Sequence, residues 1–264
     1  MKTIYHFSGA GNDFVVIDGR EGDVSAFREV PRIEALCQEY KTDGLMILGS
    51  GDAEVDFTME FYNPDGSGGM MCGNGGRCIV AFADYLGIRP SSGGVFLFMA
   101  PDGLHTGVIL ERPADDLWTV RIKMIDVQGI TPMLGGYFLN TGTRHFVKFV
   151  DDVEQVDVAA EGKALRWNEA FAPIGTNVNF VQVAPDGLHV RTFEKGVEGE
   201  TLACGTGLTA CALVAHHAGV PTATPGAYRL RARQDWLSVN FTPGADEKFT
   251  DVYLTGPARL VEIR

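Results

Sequence analysis

The 264 residues predict a mixed α/β (α+β) protein made of two pseudo-symmetric halves. Three observations carry that expectation. The stretch MMCGNGGRC at 70–78 returns as LACGTGLTAC at 202–211, with Cys72 and Cys204 132 positions apart, half the chain. A long apolar segment follows each of these cysteines. Around them lie many short runs of strand length, alternating or apolar, divided by glycine-rich turns.

The repeat extends beyond the cysteines. An ungapped shift of 132 places Phe61 on Phe193, Cys72 on Cys204, Gly73 on Gly205, Gly75 on Gly207, Ala83 on Ala215 and Gly87 on Gly219. Near the start of each half, Phe14 and Val15 fall on Phe146 and Val147. Identities clustered around one motif, within the same element pattern, indicate a duplicated half-unit.

In chain order, strand patterns occur at TIYHF, DFVVID, GLMIL, VDFTMEFY, VFLFMA and TGVIL. The later ones are TVRIKMI, YFLN, HFVKFV, NVNFVQV, HVRTF, YRLRA, LSVNF and DVYLT. PRIEALCQEY sets Ile33, Leu36, Cys37 and Tyr40 on one helical face, so Cys37 is a packing residue. GRCIVAFADYLG reads as a helix closing at Gly87, and GLTACALVAHHAG as one closing at Gly219. Both are apolar nearly all round, which marks a buried central helix, with Cys78 and Cys211 as small core residues. APDGLH appears at 100–105 and at 184–189, each time between strand patterns, and Pro-Asp-Gly is hairpin chemistry.

Composition narrows the function. A net charge of −12 argues against nucleic acid and against an anionic membrane surface. No stretch approaches the ~20 apolar residues of a membrane-spanning helix, and the first residues lack the apolar run of a signal peptide. The expected setting is cytoplasmic. Five cysteines there do not suggest a disulfide framework.

Cys72 and Cys204 each precede Gly-x-Gly at a helix start. The first N–H groups of a helix lack internal partners and carry partial positive charge, which stabilises a thiolate below its usual pKa of ~8.5. The glycines let a ligand carboxylate approach the same N–H groups. Two related halves that pack about a pseudo-twofold axis would bring both sulfurs to one cleft. A carbon held between a thiolate and a thiol loses a proton on one face and gains one on the other, which is racemisation or epimerisation. Other readings of the motif are weaker. A four-cysteine zinc site has C-x5-C and C-x6-C in place of the short knuckle. A phosphate loop lacks Gly-Lys-Ser/Thr, with GNGGRC offering only Arg77. A redox dithiol prefers C-x-x-C. Simple structural turns remain, but do not explain a cysteine at the head of both helices.

SGAGNDFVVID, FYNPDGSGGMMCGNGGRC, NTGTRHFV, GTNVNF and FEKGVEGETLACGTG resemble the diaminopimelate epimerase family over residues 8–207. That resemblance implies two similar domains, each a mixed sheet wrapped around a central helix, here 1–113 with a strand at 252–264 returning to it, and 114–251. It implies an enzyme that needs no cofactor and no metal. Cys72 and Cys204 would be the acid–base pair. Asn12, Asn63 and Asn177 would hydrogen-bond the substrate. Gly73, Asn74, Gly205 and Thr206 would hold the carboxylate at the reacting centre, Glu194 an ammonium, and His145 would lie near the site. The implied partner is a small amino acid, with a homodimer left open.

The chain departs from the family pattern at the end of the site that would read the distal carboxylate. Glu194-Lys195 stands where Glu-Arg is usual, Gly44 where many members have Gln, Arg144 where Pro is usual, with Thr143 before it. GVEGET is one residue longer than the common form. A buried Lys195 paired with that carboxylate would make Lys195→Met cost roughly a hundredfold in kcat/KM. The leading expectation is an epimerase converting LL- to meso-2,6-diaminopimelate. The rivals are a racemase of another amino acid such as histidine, and a non-enzymatic ligand- or metal-binding protein.

Overall fold

Helices that are apolar on every side must be enclosed, and here strands enclose them. The computed structural model describes every residue except Met1, Met70 and Ser92, so the first residue of MMCGNGGRC lies outside the described set. The chain divides into two units, Met1–Ile122 with Gly256–Arg264, and Lys123–Thr255.

The first unit contains β1 (Ile4–Ser8), β2 (Asp13–Asp18), α1 (Val30–Tyr40), β3 (Gly44–Ser50), β4 (Phe57–Tyr62), α2 (Gly73–Tyr85), β5 (Val95–Ala100), β6 (Gly103–Ala114) and β7 (Leu117–Lys123). β1 and β2 are antiparallel, β2 and β3 parallel, β3 and β4 antiparallel, and β4 and β5 parallel. The β5–β6 hairpin continues to β7, and residues 256–263 pair with both β7 and β1. The strands therefore close on themselves, with β4 and β5 joined over two residue pairs.

β2 and β3 are apolar at consecutive positions because both faces are covered. Val15, Ile17, Leu45 and Ile47 form one cluster with Ile33, Leu36 and Cys37 of α1. α2 lies against β2, β3 and β6 and is buried from Gly73 to Ala83. Its Phe82 meets Tyr5 and Phe7 at ring distances of 4.8 and 5.6 Å. Fully buried Trp118 donates its indole N–H to Asp84 at 2.9 Å. Each such large apolar side chain contributes about 1.5–3 kcal/mol.

The second unit contains β8 (Val127–Gln128), β9 (Thr131–Met133), β10 (Gly136–Asn140), β11 (Arg144–Phe149), α3 (Val158–Arg166), β12 (Asn177–Ala184), β13 (Gly187–Glu194), β14 (Gly199–Thr201), α4 (Gly205–His217), β15 (Ala227–Arg231), β16 (Trp236–Pro243) and β17 (Lys248–Ile263). Pairing runs β9–β10–β11–β12–β13–β15–β16–β17–β8, parallel at β11–β12 and β13–β15. Phe146, Val178, Phe180 and Phe193 pack with Val158 of α3, while α4 lies against β10–β13, β15 and β16. Beyond Thr255, β17 supplies residues 256–263 to the first unit.

The order β1-β2-α1-β3-β4-α2-β5-β6-β7 thus returns as β10-β11-α3-β12-β13-α4-β15-β16-β17. α2 and α4 also end alike. Ile88 N–H donates to Ala83 C=O and Val220 N–H to Ala215 C=O, with Gly87 and Gly219 at φ of +76° and +73°. This is a Schellman turn twice over, and glycine takes its left-handed position without strain. Both APDGLH copies close hairpins, β5–β6 and β12–β13. α3 and the short β8, β9 and β14 add to the elements expected from the sequence. Asp157 caps α3 by accepting from Ala160 N–H at 3.0 Å.

Candidate active site

Cys72 is the N-cap of α2 and Cys204 the N-cap of α4, both with extended backbone. The sulfurs meet different donors. Cys72 Sγ accepts from Gly75 N–H at 3.2 Å, so a first-turn donor points at the sulfur. Cys204 Sγ lies 3.5 Å from Thr206 Oγ1. About two turns further in, Cys78 and Cys211 are fully buried, and burial pushes both thiols up and keeps them neutral. None of the five cysteines is in a disulfide. Among the described residues, no three His, Cys, Asp or Glu side chains are grouped as metal ligands.

Beside Cys72, Gly73 and Asn74 form the buried first turn of α2. Asn74 Nδ2 donates to Asn12 Oδ1 at 2.5 Å, and its Oδ1 accepts from Arg77 at 2.9 Å. Arg77, with no exposed surface, also donates to Gly73 C=O, Gly9 C=O and Pro257 C=O. The guanidinium thus ties the loop carrying Asn12 to the helix start carrying Cys72. Sequence reasoning weighed Arg77 only as part of a phosphate loop, although a charge inside an otherwise apolar helix was the available signal. Asn63 sits in the turn after β4, donating from Nδ2 to Ser67 Oγ at 3.0 Å.

Beside Cys204, the buried Gly205 opens α4 and Thr206 follows. Thr141 Oγ1 donates to Thr206 C=O at 2.9 Å. Thr206 Oγ1 lies 2.9 Å from His145 Nε2 and 3.1 Å from Thr143 Oγ1, and Thr143 Oγ1 is itself 2.9 Å from Nε2. His145 is therefore within one hydroxyl of the Cys204 sulfur. Asn177 Nδ2 donates to Arg144 C=O at 2.9 Å, and its Oδ1 accepts from Lys195 N–H at 2.8 Å. Glu194 accepts from Thr201 Oγ1 at 2.8 Å. The Lys195 side chain is exposed, which corrects the expectation of a buried lysine.

Complete burial holds the His145 ring neutral, with its pKa lowered to about 3. An unfolded histidine titrates near ~6.5, so below that pH only the unfolded chain takes up the proton. This ring's contribution is complete above ~6.5 and is lost as pH falls towards the folded value, by about 1.4 kcal/mol per pH unit. Urea midpoints at about pH 7.5 and 5.5 should fall further for wild type than for His145→Gln, by roughly 1.4 kcal/mol in the difference. Equal losses would contradict a ring held neutral.

Two strand-wrapped helices in one repeated topology form a fold that solved structures share. A hydroxyproline epimerase from Agrobacterium vitis matches with a TM-score of 0.66 at 16% identity, covering 100% of this chain and 91% of that one. A phenazine biosynthesis protein of the PhzF family from Bacillus anthracis matches with a TM-score of 0.77 at 11% identity, covering 100% and 98%. At such identities the likeness is one of fold. Sequence likeness goes further, for the diaminopimelate epimerase family model matches residues 4–92 and 137–261. Diaminopimelate epimerases of Chlorobaculum tepidum and Aquifex aeolicus are each 39% identical to this chain, covering 96% of it and 97% and 93% of their own lengths. The chain belongs to the diaminopimelate epimerase family.

Proposed function

We propose that the chain is a cofactor-independent isomerase that inverts one α-carbon of LL-2,6-diaminopimelate to give the meso form, a step in lysine and cell-wall precursor supply. One sulfur, as thiolate, removes the α-proton. The other, as thiol, protonates the carbanion from the opposite face, and reversal exchanges the roles. The observation that carries the reading is the repetition of one device: a cysteine caps the buried helix in both copies of one topology. Membership of the family supports the substrate.

In this reading the first-turn residues Gly73, Asn74, Gly205 and Thr206 hold the carboxylate at the reacting carbon. Arg77 keeps Asn74 and Asn12 in register with Cys72, and Asn63, Asn177 and Glu194 contact the rest of the substrate. The setting is cytoplasmic, which suits five thiols. Among the described residues no helix is long and apolar enough to cross a membrane.

Lys195 has a smaller role than burial would have given it. An exposed ammonium contributes about 0.2–1 kcal/mol to a contact with a carboxylate. Lys195→Met should therefore raise KM for diaminopimelate by roughly two- to fivefold with kcat little changed. A hundredfold fall in kcat/KM would show that the side chain becomes buried against substrate.

The test of the function is a panel of L-amino acids in deuterium oxide, with LL-diaminopimelate and histidine among them, scored for α-carbon exchange and for chirality. Diaminopimelate should exchange and invert. A chain that inverts histidine and leaves diaminopimelate untouched is a racemase of another substrate.

A further inference from the structure

Asn179, fully buried in β12, has its amide fixed from three sides. Its Nδ2 lies 3.0 Å from Phe146 C=O, which can only accept. Nδ2 is therefore the donor end, and Oδ1 accepts from Thr192 Oγ1 at 2.9 Å. The same Nδ2 lies 3.1 Å from His145 Nδ1. A donor facing Nδ1 requires that nitrogen to be the unprotonated acceptor, which leaves the ring proton on Nε2. The fit is close: a Cβ at Gly207 would sit 2.5 Å from Asn179 Oδ1 and 3.3 Å from the His145 ring.

Nε2 faces the two hydroxyls of Thr143 and Thr206. With its proton on Nε2 the ring donates into this pair and takes no hydroxyl proton. The Thr206 hydroxyl proton is then available to the Cys204 sulfur, 3.5 Å away. With the proton on Nδ1 the ring would accept from one of these two hydroxyls, and Nε2 would compete with the sulfur for the Thr206 proton. We infer that Asn179 and His145 are positioning residues: anchored by Thr192, Asn179 fixes the Nε2–H form of His145, which turns the Thr206 hydroxyl towards Cys204. A donated hydrogen bond favours charge on the sulfur. His145 is thus no proton carrier. The inference rests on the reading of Cys204 as a reacting group only for its consequence; the proton arrangement stands apart from it.

The test uses the full-length 15N-labelled protein and long-range proton–nitrogen spectra of the histidine rings, with His145 assigned by its loss in His145→Gln. His145 should show the Nε2–H pattern alone, unchanged between about pH 5.5 and 8.5. Asn179→Leu should release the ring to a mixture of the two forms. Alkylation by iodoacetamide, read per cysteine by peptide mapping, should slow at Cys204 by roughly tenfold in Thr206→Val, recover in Thr206→Ser, and stay unchanged at Cys72. An Nδ1–H ring in the wild type overturns the inference, and so does a Thr206→Val protein whose Cys204 reacts at the wild-type rate. If Asn179→Leu does not fold, the wild-type spectrum and the Thr206 pair decide. Activity assays are absent from this test, so failure of the proposed substrate would leave it intact.

Discussion

Cys72→Ala and Cys204→Ala should each lower the inversion rate at least about a thousandfold, because each removes the only acid–base group proposed for one face of the carbon. Loss of folding would not explain such a fall. Cys72→Ala also removes the acceptor for Gly75 N–H, which costs α2 about 1 kcal/mol, as loss of an N-cap does. Cys72→Ser retains a cap and still has no group that ionises near neutral pH, so it should be folded and inactive. Cys78→Ala and Cys211→Ala give the opposite result. Both side chains are fully buried and neutral, so their loss should cost about 1–2 kcal/mol of stability and leave the rate of the folded protein near wild type. Denaturant midpoints together with initial rates separate the two pairs. An active Cys204→Ala protein would remove the two-sulfur account.

Arg77→Met should lower both stability and rate. Removing the guanidinium leaves two buried carbonyls, the half-buried Pro257 carbonyl and the Asn74 amide oxygen without this donor. Unmet acceptors of that kind cost about 1–3 kcal/mol each before the structure relaxes, so a net loss of roughly 3–5 kcal/mol is expected. Asn74 would lose one of the bonds that fix its amide, which weakens the register of Asn12 with α2. In protein that remains folded, kcat should fall at least about tenfold. Arg77→Lys should recover part of the stability, since one ammonium reaches fewer acceptors than the planar fork. A midpoint within about 0.5 kcal/mol of wild type would contradict the structural role given to Arg77.

The central helices and most strands were legible in the sequence because their patterns are strong. α2 and α4 are apolar all round, start at a cysteine, end at a glycine, and coincide under one ungapped shift. α3 was not legible that way. α1 begins at Val30 and α3 at Val158, so the shift that aligns the central helices misaligns these outer ones. Loops absorb the slack, while the enclosed helix cannot move without losing its packing. The element order of the first half was the usable signal, since it calls for a helix between β11 and β12.

The acid–base cysteines could be proposed from sequence because helix starts and buried helix interiors do different things to a thiol. The polar shell was harder. NVNFVQV reads as a strand, yet Asn177 and Asn179 share one face of it, and a buried asparagine in an apolar strand needs partners. Those partners, His145 and Thr192, lie on neighbouring strands and come together only through sheet register. Lys195 was misplaced for a related reason. Counting nine residues back from each cysteine equates it with Asn63, but β13 pairs with β14 over three residue pairs where the first half has the single bridge Tyr62–Gly68. Lys195 falls in the turn between β13 and β14, at the surface.

The most direct measurement of the two-sulfur account is the location of deuterium early in the reaction of LL-diaminopimelate in deuterium oxide. The protein should deliver a solvent-derived deuteron to the inverted centre of the meso product, while the LL substrate recovered at a few per cent conversion retains its α-protons. That asymmetry follows when one sulfur removes the proton and a different one returns the deuteron on the opposite face. Recovered LL substrate that gains deuterium as fast as product forms would mean that a single base serves both faces, and would contradict the account.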